Sequence, residues 1–91
     1  MLTLTTTSQF RKDYKLAKKR GYDMSLLENV LQQLLDCKPL EEKHRDHALT
    51  GNYLGFRECH IQPDWLLIYA IDSGTLILTA SRTGTHSDLF R

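Results

Sequence analysis

The sequence predicts an α+β domain in the order β-α-α-β-β-β, a helical hairpin packed on a mostly antiparallel four-stranded sheet. Three observations carry this. Two helix-periodic segments fill residues 9–38, three strand-like runs follow Gly51, and a chain of 91 residues has room for one core. One domain over residues 1–91 is therefore expected.

Residues 2–7 alternate Leu and Thr at first and are rich in β-branched side chains, as in a short strand. Ser8 is placed to cap the helix that follows, and QFRKDYKLAKKR runs to Gly21, a residue suited to the position after a helix. Phe10, Tyr14 and Ala17 fall at i, i+4 and i+7 and make a narrow apolar stripe. Arg11, Lys12, Lys15, Lys18 and Lys19 cluster on the other side. Tyr22, in the connection, is a packing residue. The second helix starts at the S-x-x-E pattern of Ser25 and Glu28, with Asp23 as an alternative cap. Leu27, Val30, Leu31, Leu34 and Leu35 give it a broad apolar face, and Lys38-Pro39 ends it. A connection of about four residues makes the two helices an antiparallel pair.

Residues 39–52 are polar and predicted to be irregular. Residues 53–61, 65–71 and 75–81 are strand-like. Gln62-Pro63-Asp64 and Asp72-Ser73-Gly74 are the turns between them, with proline well placed in the first. The middle run is apolar at both parities, as expected of a central strand covered on both faces. Ser81 then ends the last strand, Gly84 lets the chain turn, and Leu89 anchors the tail.

The hydrophobic fraction of 41% and the charged fraction of 25% are those of an ordinary soluble globular protein. No apolar run nears the roughly 20 residues of a membrane span, so no membrane partner is expected. Residues 1–7 lack the basic start and apolar centre of a signal peptide. Cys37 and Cys59 form no CxxC pair, and two free thiols in a cytoplasmic protein are expected. A net charge of +1 does not announce a nucleic-acid binder. Between residues 11 and 20, however, six cations face the single acid Asp13, a patch able to steer an anion.

Groups able to move a proton or bind an anion concentrate in the second half: His44, His47, Arg57, Glu58, His60, Asp64, Arg82 and His86. Antiparallel strands would return Arg82 and His86 to the end of the sheet that carries His60. Two histidines and an arginine at one spot suit RNA cleavage by internal transesterification. One group takes the proton of the ribose 2′-OH, a second protonates the leaving 5′-oxygen, and a cation stabilises the phosphorane-like transition state. Asp46, His47, His60 and Asp64 are ligand types, but no HExxH or HxH spacing joins them, and neither metal nor cofactor is expected. Plainer roles stay open on spacing alone. Arg82 would pair with Asp64 or Glu58, Asp64 would cap the Pro63 turn, and the basic helix would be a solvated face.

The run DHALTGNYLGFRECHIQPDWLLIY followed by RTGTHSDLF resembles the YafQ branch of the RelE/ParE toxin superfamily, toxins of bacterial type II toxin–antitoxin modules. The likeness spans the chain, since element order, length and basic first helix fit as well. It implies a RelE-like fold and an mRNA interferase, a metal-independent endoribonuclease acting on mRNA in the 70S ribosomal A site. By motif it implies catalytic roles for His47 of DHxLxG, His60 and Asp64 of HxxPDW, and Arg82 and His86 of RxG(T/S)H. His86 or Asp64 would be the base, His60 or His47 the acid, and Arg82 would hold the scissile phosphate. Phe90 would stack on or position a base, with Arg57, Lys15 and Lys18 as further substrate-binding groups. His44 lies outside the motif and is set aside. Arg91 follows Phe90 as an extra residue expected not to block the site. The resemblance also implies an acidic, DinJ-like, DNA-binding antitoxin, through whose complex alone operator DNA is met. A ParE-like gyrase poison is the alternative on the same fold, disfavoured by the histidine cluster. A module that only binds its antitoxin is another.

Overall fold

Helices α1, Ser8–Lys19, and α2, Met24–Leu35, form where the apolar stripes predict them. The computed structural model describes residues 1–90, so the expectation for Arg91 lies outside the described residues. Thr7 rather than Ser8 caps α1, its Oγ1 accepting the Phe10 N–H at 2.9 Å. The same hydroxyl donates to the Ser81 carbonyl at 2.7 Å and ties the helix start to the end of the chain. At the other end Gly21, with φ of 84°, lets the Tyr22 N–H reach the Ala17 carbonyl at 3.2 Å. Asp23 caps α2, accepting the backbone N–H of Ser25 at 3.1 Å and its hydroxyl at 2.6 Å.

The strands are β1 (Thr3–Thr6), β2 (His47–Ala48), β3 (Arg57–Gln62), β4 (Trp65–Asp72) and β5 (Ile77–Gly84), and a short helix α3 (His86–Leu89) follows. They make one five-stranded sheet in the order β1-β5-β4-β3-β2. Only β1 runs parallel to its neighbour; the other pairs are antiparallel. The expectation of four strands is thus corrected to five. The extra strand, β2, comes from the polar stretch, where His47 pairs with Glu58 and Ala48 with Arg57. Two residues show no alternation, so no periodicity could reveal them. β3 starts later than expected because Gly51–Tyr53 forms a 3-10 turn. β5 continues to Gly84 instead of stopping at Ser81.

The main core lies between the helices and one face of the sheet. Leu27, Val30, Leu31 and Leu34 of α2 meet Phe10 and Ala17 of α1 over Cys59, Ile61, Leu67, Tyr69 and Leu78. Each fully buried Leu contributes about 1.5–3 kcal/mol. Trp65 packs on Tyr22 at 4.9 Å between ring centroids. Its indole N–H donates to Thr83 Oγ1 at 2.9 Å, and that hydroxyl donates to the Leu66 carbonyl at 2.6 Å. Both cysteines are free; burial pushes the Cys59 thiol up to about 12, while Cys37 is exposed. On the opposite face Leu66, Ile68 and Leu89 form a smaller cluster with Leu49, Tyr53 and Phe56. β4 is therefore covered on both faces, as its composition predicts.

A bulge decides which face receives Arg82. Ile68 pairs with Arg82, but Tyr69 pairs with Ala80, so Ser81 is an extra residue in β5. Strand side chains alternate, and without the bulge the arginine, two residues after Ala80, would share its core face. With it, Arg82 stands on the face of Ile68 and Glu58, which are themselves paired.

Candidate active site

The turn between β3 and β4 presents Asp64, and the start of α3 presents His86. The His86 backbone N–H and its ring Nδ1–H both donate to Asp64 Oδ1, at 2.9 and 2.6 Å. A proton on Nδ1 leaves Nε2 as the open ring nitrogen. These two bonds, the backbone one first, hold the Asp64 carboxyl below its ordinary range. Thr85 and Asp88 cap α3 reciprocally, with Asp88 N–H on Thr85 Oγ1 at 3.1 Å and Thr85 N–H on Asp88 Oδ2 at 3.0 Å. Arg20, just past α1, grips the same Asp88 at 2.8 Å. Arg20 and then the Thr85 N–H pull the Asp88 carboxyl far below the usual carboxylate range. Gly84 makes this approach possible, because a Cβ there would lie 2.9 Å from Asp88 Oδ2.

His60 joins the pair from β3, its ring centroid 5.6 Å from that of His86 at 62°. Its Nε2 lies 3.7 Å from Glu58 Oε1, and His47 Nε2 lies 3.5 Å from the same oxygen. Glu58 is buried at 6% exposure, so a carboxylate separates the two histidines. It was only one of eight candidates in the sequence; its i, i+2 relation to His60 on β3 is the signal that puts it on their face. His47 is oriented by its Nδ1–H, which donates to the Arg45 carbonyl at 2.6 Å. His44, set aside on sequence, donates its Nδ1–H to the His60 carbonyl at 2.7 Å and braces that strand.

Arg82 pairs with neither Asp64 nor Glu58. Its Nε and Nη2 donate to the two oxygens of Asp13 on α1, at 2.7 and 3.3 Å. That hydrogen bond is the main cause raising the Arg82 pKa above its ordinary value. Phe90 follows α3 half-exposed, with its ring 5.8 Å from Tyr53 in an edge contact. Leu89 is buried on Leu66 and Ile68 and is the anchor the sequence predicts. Arg57 stands apart from the histidines. It pairs with Tyr69, a core-face residue, and its guanidinium is held by Asp46 at 3.1 and 3.4 Å. The Tyr69 hydroxyl also donates to Asp46. Lys15 and Lys18 are exposed on the side of α1 away from Asp13.

Against known proteins, residues 2–91 match the family described as bacterial toxin of type II toxin–antitoxin system, YafQ. The chain belongs to the YafQ toxin family. A YafQ relative, the mRNA interferase toxin YafQ of Escherichia coli K12, is 41% identical over 85 residues, 92% of this chain and 90% of that protein. The YafQ subunit of the E. coli DinJ–YafQ complex crystal structure is 38% identical, with a TM-score of 0.91 over all of both chains. A crystal structure of a metal-bound toxin from Helicobacter pylori is 44% identical, with a TM-score of 0.93 over 99% of this chain and all of its own. In this YafQ-family chain, no three His, Cys, Asp or Glu side chains gather as a metal-binding set among the described residues. Nor is any helix among the described residues long and apolar enough to cross a membrane.

Proposed function

We infer that this YafQ-family toxin is an mRNA interferase that cuts mRNA in the ribosomal A site by attack of a ribose 2′-OH on the adjacent phosphate. The observation that carries the mechanism is the His86–Asp64 pair lying beside His60. Asp64 takes the Nδ1 proton side of His86, so the free Nε2 faces outward as general base for the 2′-OH. The imidazolium so formed stays beside a carboxylate, which stabilises it. Asp64 is thereby the orienting group. His60 protonates the leaving 5′-oxygen, with Glu58 at its Nε2 holding the ring in place. His47, on the far side of Glu58, stands as the reserve acid. Arg82 stabilises the charge that builds on the phosphoryl oxygens. Phe90, exposed at the rim and backed by Tyr53, offers a stacking surface for a base. Exposed Lys15 and Lys18 bind at a distance through phosphates, outside the chemical step.

The protein partner is a cognate antitoxin that carries the DNA-binding part, and the toxin works in the cytoplasm with the ribosome. The DinJ–YafQ complex of the relative supports the first of these. The test is primer extension on mRNA in a translation extract. His86→Ala should lower cleavage by roughly a hundredfold or more, the usual worth of a positioned acid or base. Equal cleavage by wild type and variant would remove His86 from the mechanism. A DNA-damage response with intact mRNA on induction would instead point to gyrase.

A further inference from the structure

We propose that Asp13 is the positioning residue that presents Arg82 to the scissile phosphate. This rests on the mRNA-interferase function above and names a residue of α1 that the motifs do not contain. Asp13 is the lone acid in the basic stretch of residues 11–20, yet it is buried at 8% exposure. Four donors converge on it: Arg82 Nε at 2.7 Å, Arg82 Nη2 at 3.3 Å, the Thr83 N–H at 3.2 Å and Gln9 Nε2 at 3.1 Å.

The place is dictated by the sheet. β1 accompanies β5 only as far as Ala80, so the edge of β5 beyond it lacks a strand partner. Asp13 covers that edge by accepting the Thr83 N–H. The same carboxylate takes Arg82 side-on, through Nε and Nη2. A guanidinium carries five N–H donors in one plane, and this contact uses only the Nε side of it. The remaining N–H donors, with the Tyr53 hydroxyl beside the guanidinium, are left to meet a phosphate in bidentate fashion. Asp13 therefore fixes the plane of the guanidinium while partly offsetting its charge. It aids the chemical step through orientation and does nothing for ground-state attraction of RNA.

The test is single-turnover cleavage of end-labelled mRNA on programmed ribosomes with an empty A site, at varied toxin concentration. Asp13→Asn keeps an oxygen for the Thr83 N–H and Arg82 Nε but turns an amide against Arg82 Nη2. The maximal rate should fall roughly tenfold to a hundredfold, as for an ångström-scale misplacement. The half-saturating concentration should change by less than about threefold. In an Arg82→Ala background, Asp13→Asn should cost no more than about twofold further, because both act through one guanidinium. A full additional loss in that background, or a wild-type rate for folded Asp13→Asn, overturns the proposal. If Asp13→Asn does not fold, Asp13→Glu serves, keeping the charge but displacing it. A loss of rate in folded Asp13→Glu supports the proposal and a wild-type rate overturns it. Failure of wild type itself to cleave removes the mRNA-interferase function, and Asp13's role with it.

Discussion

Gly84→Ala is the sharpest probe of how the tail carries its part of the site. The added Cβ would sit 2.9 Å from Asp88 Oδ2 and 3.0 Å from Asp88 Cβ. The second distance matters more, because Asp88 cannot escape by rotating its carboxylate alone; α3 has to shift. Forcing a methyl into such a contact costs about 1–3 kcal/mol. Displacing Asp88 also weakens the reciprocal cap with Thr85, a device worth about 1 kcal/mol. The two overlap, since moving Asp88 relieves the clash, so a total of about 1–3 kcal/mol is expected. For a domain of this size that lowers Tm by roughly 5–20 °C. Cleavage should suffer more than stability, because His86 starts the helix that moves, and a shift near an ångström costs about a hundredfold in rate. Thermal unfolding by circular dichroism and cleavage at 20 °C below the variant's Tm separate the two effects. Gly74→Ala is the control: its Cβ would lie 3.3 Å from Asp72 Oδ1, which caps an exposed turn remote from the site by accepting the Gly74 and Thr75 N–H groups. Wild-type Tm and wild-type cleavage in Gly84→Ala would refute the idea that Asp88 packing sets the position of His86.

Thr83→Val keeps the shape of a buried side chain but removes the hydroxyl between the Trp65 indole and the Leu66 carbonyl. Leaving the indole N–H unpaired should cost about 1–3 kcal/mol, read as a lower urea midpoint at unchanged slope; an unchanged midpoint would count against the buried bridge. Asp88 gives a pH prediction with a definite sign. Its folded pKa is depressed, so its contribution is present above the unfolded value near 3.9 and is lost as pH falls below about 4. The stability gap between wild type and Asp88→Asn should therefore be full at pH 7 and shrink by pH 3. A gap that stays constant would show that the charge of Asp88 does not matter.

Much of the scaffold was legible because it is periodic. The stripe of Phe10 and Ala17, the face of Leu27, Val30, Leu31 and Leu34, and the all-apolar β4 each announce one surface to bury. What escaped was set by long-range geometry. β2 is a two-residue pairing with no pattern of its own, and α3 is a single turn held by its cap. The strand limit at Ser81 was misplaced because a bulge breaks alternation there, and the break looks like an end. Asp13 showed in the sequence only as the single acid among six cations, since nothing local reveals that a strand edge and a guanidinium lie across from it. For the same reason the sequence does not show that Arg57, opposite Tyr69, lies on the face away from Glu58 and His60.

Three bonds described above join sequence positions far apart: Thr7 to Ser81, Asp13 to Arg82 and Arg20 to Asp88, separated by 74, 69 and 68 residues. They also order events during synthesis. β1 and α1 emerge first, but β1 has no strand to pair with, and Asp13 and Arg20 have no ion-pair partners, until β5 and α3 have been made. Contacts of such span close slowly, because the loop entropy must be met before any of them forms. Until residue 82 is added, a ribosome making this toxin therefore handles a chain without Arg82 and His86, even after His60 and Asp64 have been made. On the proposed mechanism, the topology that delays folding also withholds a complete site from the growing chain.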